Sequence, residues 1–446
     1  MSLSRTAPPA RPGIPDDGAS GVPIPGEPGP TGVWARFPAL SYRNYRLFFI
    51  GQLISVTGTW MQTLAQSYLV YDVLHASPFQ LGLVNVFQFA PVLLLGIPAG
   101  VIADRFPKRR LLVFTQSTFA LLAALLSVLV MSGHIQLWQV YAVAAVFGVT
   151  NALDMPTRQS FVPELVGKHV LMNAIALNST MFNTGRVLGP AIAGVVLAAF
   201  GPTACFAFNA VSYIAVISGL LLMRVTPVVR LVSNSAIDRL REGLDYVRAT
   251  PTISRTILLV GAVGIFGMNF NIWVPMLASD SFGPGAGTYG LLFTAMGLGS
   301  LAGALMLAMF GRKPTRARMF GATIALGLTE VALGIAAAIP LAVGFGMLFL
   351  AIAGFTSSNA MATANTTVQT AASDELRGRV MAVYMTVFAG TTPFGALISG
   401  AIADRFGVAV AVWMGGSVTA AAAIAIAWRQ REHPSTRRPS PVLHST

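Results

Sequence analysis

Runs without a single Asp, Glu, Lys or Arg dominate this chain, and clusters of bases bound most of them. They cover 47–71, 73–103, 111–153, 187–223, 256–279, 281–311, 331–373, 380–403 and 406–428. A bilayer is crossed by about 20 apolar residues in a helix, because a lipid-exposed backbone must satisfy its hydrogen bonds internally. The two longest runs each contain a turn, at Ser132-Gly133-His134 and at Ala338-Ile339-Pro340, so each holds two helices. Adding a helix over 170–200, interrupted by Arg186, and one over 318–339, interrupted by Glu330, predicts an all-α membrane protein of twelve transmembrane helices. Composition agrees, since 54% hydrophobic residues, 10% charged residues and a mean hydropathy of +0.68 exclude an ordinary water-soluble globule.

The bases set the expected orientation, because Lys and Arg resist translocation and collect on the cytoplasmic side. With both termini cytoplasmic, every one of the 29 Lys and Arg falls inside except Arg186, within a span, and Arg405, outside. Topology and attraction to anionic lipid account for the net charge of +13, so no nucleic-acid partner is expected. Cys205 is alone, which rules out a disulfide framework. Residues 1–36 and 430–446 read as disordered cytoplasmic tails, and the first of these lacks the apolar core of a signal peptide.

An internal repeat divides the rest. A shift of 206 places Gly148 on Gly354, Thr157 on Thr363, Gly189 on Gly395 and Gly194 on Gly400; a shift of 208 places Gly82 on Gly290 and the basic turn at 104–110 on Arg312, Lys313, Arg316 and Arg318. The expected organisation is a six-helix bundle over 37–224, a linker over 225–252 and a second six-helix bundle over 253–429. Within the linker, Ile237, Leu240, Leu244 and Val247 share one helix face, which suggests a membrane-surface strut or a regulatory docking helix.

The turn Gly100-Val-Ile-Ala-Asp104-Arg105-Phe-Pro-Lys108-Arg109-Arg110 resembles the loop between the second and third helices of the major facilitator superfamily, with Pro107 where glycine is usual. Gly185-Arg186-Val-Leu-Gly189-Pro190-Ala-Ile-Ala193-Gly194 is similar to the antiporter signature of drug exporters, a helix-kink motif, although Ala193 replaces one glycine of its pair. The segments opening at Phe37 and closing the fourth helix at Asp154-Met-Pro156-Thr-Arg158-Gln159 look like the branch containing the enterobactin exporter and macrolide-efflux proteins. The resemblance, over roughly residues 40–430, implies the major facilitator fold. It also implies a cytoplasmic latch at Gly100, Asp104, Arg105, Lys108, Arg109 and Arg110, and secondary active transport by alternating access.

Polar stripes suggest where a substrate would pass, because amides in hydrocarbon are costly unless paired. Gln52, Ser55, Thr59, Gln62 and Gln66 share a face of the first span; Thr356, Asn359 and Thr363 do so in the tenth; Asn269 and Asn271 lie between Gly267 and Pro275 in the seventh. Each set either lines a cavity or glues helices together. Asp154 and Arg158, one turn apart, favour an ion pair. Arg186, near mid-bilayer, needs an anion, for which Asp154 is the nearest candidate in the sequence. Glu330 shares a face with Thr323, Gly327 and Gly334, so it points at a packed helix. Asp154, Arg158, Arg186 and Glu330 are therefore the coupling candidates, with structural pairing as the alternative for each. His134, at an external turn, reads as a solvated loop residue.

Neither a phosphate loop, a metal-ligand spacing nor a nucleophile–base set is present, so no cofactor, metal or enzymatic step is expected. The expected function is proton-coupled efflux of a drug-like or siderophore-like small molecule by a monomer in a bacterial inner membrane. Import of a metabolite, or a non-transporting receptor on the same fold, remains open.

Overall fold

The computed structural model describes residues 37–167, 169–224, 236–283, 285–310, 315–339, 342–373 and 375–432. The expected tails except 430–432, which continue the last helix, linker residues 225–235, Lys168, Arg312 and Lys313 lie outside these. Among the described residues all regular elements are helical: α1 Arg43–Tyr68, α2 Pro78–Arg105, α3 Lys108–Met131, α4 Leu137–Val166, α5 Leu171–Leu222, α6 Ala236–Ala249, α7 Pro251–Phe266, α8 Phe270–Met276, α9 Ala286–Phe310, α10 Arg316–Ala337, α11 Val343–Ala371, α12 Arg377–Gly390, α13 Thr392–Phe406 and α14 Val408–Glu432.

Nine helical segments among the described residues are long and apolar enough to cross a membrane. One of them, α5, is 52 residues long and joins two helices at Gly201, whose φ of +74° carries no Cβ penalty in glycine. Helices α1 and α4 are as long as their neighbours, at 26 and 30 residues, but carry more polar side chains. Local chemistry sets several starts. Ser77 and Gln80 form a reciprocal capping box ahead of α2, with Pro78 at its first position, and Gln136 with Gln139 forms another ahead of α4.

The packing is asymmetric from one end of the molecule to the other. On the face that holds both described chain ends, here the terminal face, the helices form two separate cores. One contains Tyr42, Tyr45, Phe48, Leu112, Phe161 and Tyr213; the other contains Val247, Ile253, Met319, Val368 and Tyr384. On the opposite face a single core draws Met61, Leu64 and Phe206 together with Trp273, Tyr289 and Val412. The two helix groups meet there through glycine. A Cβ on Gly194 of α5 would stand 2.6 Å from Gly290 Cα of α9, and one on Gly82 of α2 would stand 2.7 Å from the Ala396 carbonyl of α13. Nothing lies within 4 Å of the Cβ position of Gly100, near the terminal face.

The linker helix α6 docks mainly on the second helix group, with Gly243 against the Arg379 carbonyl, Glu242 paired with Arg379, and Tyr246 Oη accepting from the Ser373 N–H, and it also approaches α2 of the first group. Val247 and Leu244 enter that group's core, because burial there removes their apolar surface from water more completely than a lipid headgroup layer would. The side chains of Ile237 and Leu240 lie outside the described residues.

Filling the glycine contact tests the closed end. Gly290→Val should cost about 1–3 kcal/mol of overpacking and lower the melting temperature in detergent, whereas Gly100→Val should leave it unchanged.

Candidate functional site

Between the two groups, the accessible side of α1 runs through Ile50, Leu53, Ile54, Thr57 and Trp60. Most of the amide stripe expected to line a cavity is turned into the first helix group, and Gln66 at its end lines a small cavity. Gln52, Ser55, Gln62 and Gln66 are buried; Asn209 Nδ2 donates to Gln62 Oε1 at 2.7 Å, Gln88 Nε2 to Gln66 Oε1 at 3.4 Å, and Thr59 Oγ1 lies 3.2 Å from Tyr213 Oη. Gln62, Thr59 and one oxygen of Gln66 are thus paired inside the first helix group, as buried polar groups usually are, while Gln52 Nε2 and Gln66 Nε2 are buried without a partner among the described residues. In α11, Asn359 donates to the Gly303 and Phe355 carbonyls, and Thr363 is buried beside it. Asn269 donates back to the Ile265 carbonyl at 2.7 Å, across the break between α7 and α8. Of the expected cavity residues, Gln66 and Asn271 line a space of about 10 Å³, shared with Thr63, Asn85 and Gln88, room for roughly one water.

Asp154 is 1% exposed and accepts from Thr115 Oγ1 at 2.7 Å, from Gln116 Nε2 at 2.8 Å and from Arg158. Its donors come from α3 and α4, so it ties those two helices together. The partnership expected between Asp154 and Arg186 is not formed: Arg158 on the next turn already neutralises the carboxylate. Arg186 instead sits over the Trp60 ring at 5.9 Å, with its Nε buried and without a hydrogen-bond partner among the described residues.

Glu330 is fully buried on α10. Gly327 and Gly334 on the same face pack against α14, where a Cβ on Gly416 would lie 2.7 Å from Glu330 Cβ. Neither carboxyl oxygen has a hydrogen-bond partner among the described residues.

The basic turn is only partly committed. Lys108 pairs with Glu164, and Arg109 donates to the Leu220 and Leu221 carbonyls at 2.5 and 2.7 Å. Arg105 and Arg110 are exposed, while Asp104 has no ion pair among the described residues. Gly185 and Gly189 press α5 onto α1, at Val56 and Trp60, and Gly194 presses it onto α9. The backbone of α5 stays helical through Pro190 and departs from helical geometry at Gly201, so the expected kink motif acts here as a close-contact surface.

The far end holds a group of residues that the sequence analysis passed over. After α1 and after α8 the chain makes π-helical turns, Leu69–Val73 and Leu277–Ser281. Tyr71 Oη donates to Asp280 at 2.7 Å, Ser279 Oγ donates to Asp72 at 3.0 Å, and Tyr289 Oη also donates to Asp72. The shift of 208 that relates the repeats places Asp72 on Asp280 and Tyr71 on Ser279. Repeat-related positions thus bond crosswise between the two groups. The sequence held a signal in two acids one repeat apart at matched helix ends.

Two outcomes check this geometry. Tyr289→Phe removes a hydrogen bond to a carboxylate, worth about 1.5–3 kcal/mol. A cysteine at buried Ala278, in a variant without Cys205, should then react about tenfold faster with a water-soluble thiol reagent. Asp154→Asn should destabilise the protein by roughly 3 kcal/mol by orphaning Arg158, and adding Arg158→Met should restore part of the loss in thermal unfolding.

Known proteins place the chain. It is 29% identical over 371 residues to the staphyloferrin A transporter of Staphylococcus aureus (strain NCTC 8325 / PS 47), covering 81% of this chain and 90% of the relative. It is 26% identical over 374 residues to the multidrug efflux pump Tap of Mycolicibacterium fortuitum, covering 81% and 90%. A crystal structure of a bacterial homologue of the human lysosomal transporter Spinster, in an inward-facing and occupied conformation, superposes with a TM-score of 0.68 at 16% identity, over 90% of this chain and 99% of that one. The family profile described as transmembrane secretion effector matches residues 34–442, and the chain belongs to that family of major facilitator transporters, as a multi-pass membrane transporter and not an enzyme.

Proposed function

We propose that this transporter exports a drug-like or siderophore-like small molecule by alternating access, coupled to proton entry. One observation carries the reading: the two helix groups share a core at one end and keep separate cores at the other. Rocking about the shared end would expose Trp60 and Arg186 to opposite sides of the membrane in turn. On this reading the chain makes twelve passages in two six-helix bundles, over 37–224 and 253–429. It works as a monomer in the bacterial cytoplasmic membrane with both termini cytoplasmic. The distribution of bases supports that orientation, which makes the state described here open to the cytoplasm. The relatives' names, a staphyloferrin A transporter and a multidrug efflux pump, support the substrate range.

The unengaged latch fits the same state. Nothing stands within 4 Å of the Cβ position of Gly100 or of Gly378 at the start of α12, and Asp104 has no ion pair among the described residues. Closing the terminal face would bring Asp104 to the N-terminus of α12, where a helix dipole favours an anion.

Everted vesicles decide between export and its alternatives. A proton gradient should drive accumulation of at least one compound from a drug and siderophore panel, and collapse of the gradient should abolish it. Asp104→Asn should slow that flux about tenfold, within the 1–3 kcal/mol usual for conformational coupling, at normal expression. Uptake in the opposite direction would identify an importer, and absence of flux across the panel would favour a receptor.

A further inference from the structure

We propose that Arg186 and Trp60 form an anion subsite in the transport pathway, and that the transported molecule carries a carboxylate. The proposal rests on the reading of the chain as an exporter and narrows its substrate class.

Helix geometry aims Arg186 inward. Successive residues turn by about 100°, so Arg186 points away from the side of α5 that carries the exposed Leu188, Ile192 and Val195, the side suited to lipid. The face of Arg186 continues through Phe182, Ser179 and Ile175, all exposed, toward the terminal face. An accessible seam therefore leads from the terminal face to the guanidinium. Three close contacts hold the cation in place. Gly185 meets Val56, Gly189 meets Trp60 Cβ, and Gly297 of α9 stands against the Arg186 carbonyl, where an added Cβ would lie at 3.3 Å.

Among the described residues no acid forms an ion pair with it. A guanidinium within a membrane protein is ordinarily paired, and the described acids nearest the bilayer interior are committed elsewhere. Asp154 is held by Arg158, Thr115 and Gln116; Glu164 is held by Lys108; Glu330 faces α14 in the other helix group. Asp72 and Asp280 bond at the far end to tyrosine and serine hydroxyls. Among the described residues the contact given for Arg186 is the Trp60 ring, a cation–π contact worth about 0.5–2 kcal/mol, which does not neutralise it. Its fork of N–H donors fits a carboxylate in a bidentate manner. Trp60, accessible beside it, offers an apolar face to the body of the same ligand. Of the two bridging alternatives open to Arg186, an internal ion pair and a ligand, the geometry leaves the ligand.

The test uses purified protein in nanodiscs of phosphatidylcholine, so that no anionic headgroup competes. Tryptophan fluorescence and thermal shift are titrated with a panel of aromatic and aliphatic mono-, di- and tricarboxylates and with their matching amides. Wild type should bind at least one carboxylate more than about tenfold tighter than its amide, and Arg186→Gln should erase that preference, as expected when one member of a desolvated charge pair is removed. Trp60→Leu should weaken carboxylate and amide alike while keeping the preference. Arg186→Lys, which keeps the charge, provides a second variant if Arg186→Gln folds poorly, and should retain part of the preference. A wild type that binds carboxylates no better than amides, or a preference that survives Arg186→Gln, overturns the proposal. Transport separates the two readings. If Arg186→Gln vesicles and wild type expel the same compounds equally well, none of them carboxylates, export stands and the anion subsite falls. A wild type that prefers carboxylates yet moves no compound keeps the subsite and removes the exporter.

Discussion

Backbone-to-backbone contact at one end of the molecule is the constraint on which the rest depends. Where Gly194 meets Gly290 and Gly82 meets Ala396, the absence of side chains lets α5 cross α9 and α2 cross α13 at van der Waals distance. In a bilayer, helices gain nothing from hiding leucine from lipid, so close packing of small residues and interhelical hydrogen bonds do the joining. The crosswise bonds of Tyr71 to Asp280 and of Ser279 and Tyr289 to Asp72 add the polar part. Together they concentrate attraction between the two groups at one end. The other end holds two self-sufficient cores and has no comparable seam.

That asymmetry orders the ionisable groups by what they can do. Asp154, Arg158, Thr115 and Gln116 lie within one helix group, so moving the groups apart need not change their contacts. Glu330 is enclosed between α10 and α14, both of the second group. Neither of its carboxyl oxygens has a hydrogen-bond partner among the described residues. Asp72 and Asp280 reach across the division, so their bonds must break when the far end opens. Arg186 lies beside Trp60 with its Nε buried and without a hydrogen-bond partner among the described residues.

The linker helix adds a mechanical consequence. Because α6 is fixed to α12 through Gly243 and Arg379, it travels with the second group. It also approaches α2 of the first group, so motion between the groups must pass that contact.

The sequence by itself determined the solvent, the helices and the repeat. Charge-free runs near 20 residues admit no other lipid-exposed element, the glycines at a fixed shift reported duplicated close contacts, and Pro, Ser and Gln marked helix starts. It also determined that Asp154 and Arg158 would meet, since i,i+4 spacing settles their distance whatever the rest of the chain does. Only the tertiary structure decided which face of α1 looks inward. A polar stripe is equally compatible with water and with a neighbouring polar stripe, and Asn209, Gln88 and Tyr213, the partners that buried it, come from α2 and α5. The same held for Arg186: sequence showed that it needs an anion, but only packing showed that the nearest one is already taken. Asp72 and Asp280 gained their hydroxyl partners Ser279, Tyr289 and Tyr71 for the same physical reason, since hydrogen bonding acts over about 3 Å and residues a whole repeat apart meet only through the fold.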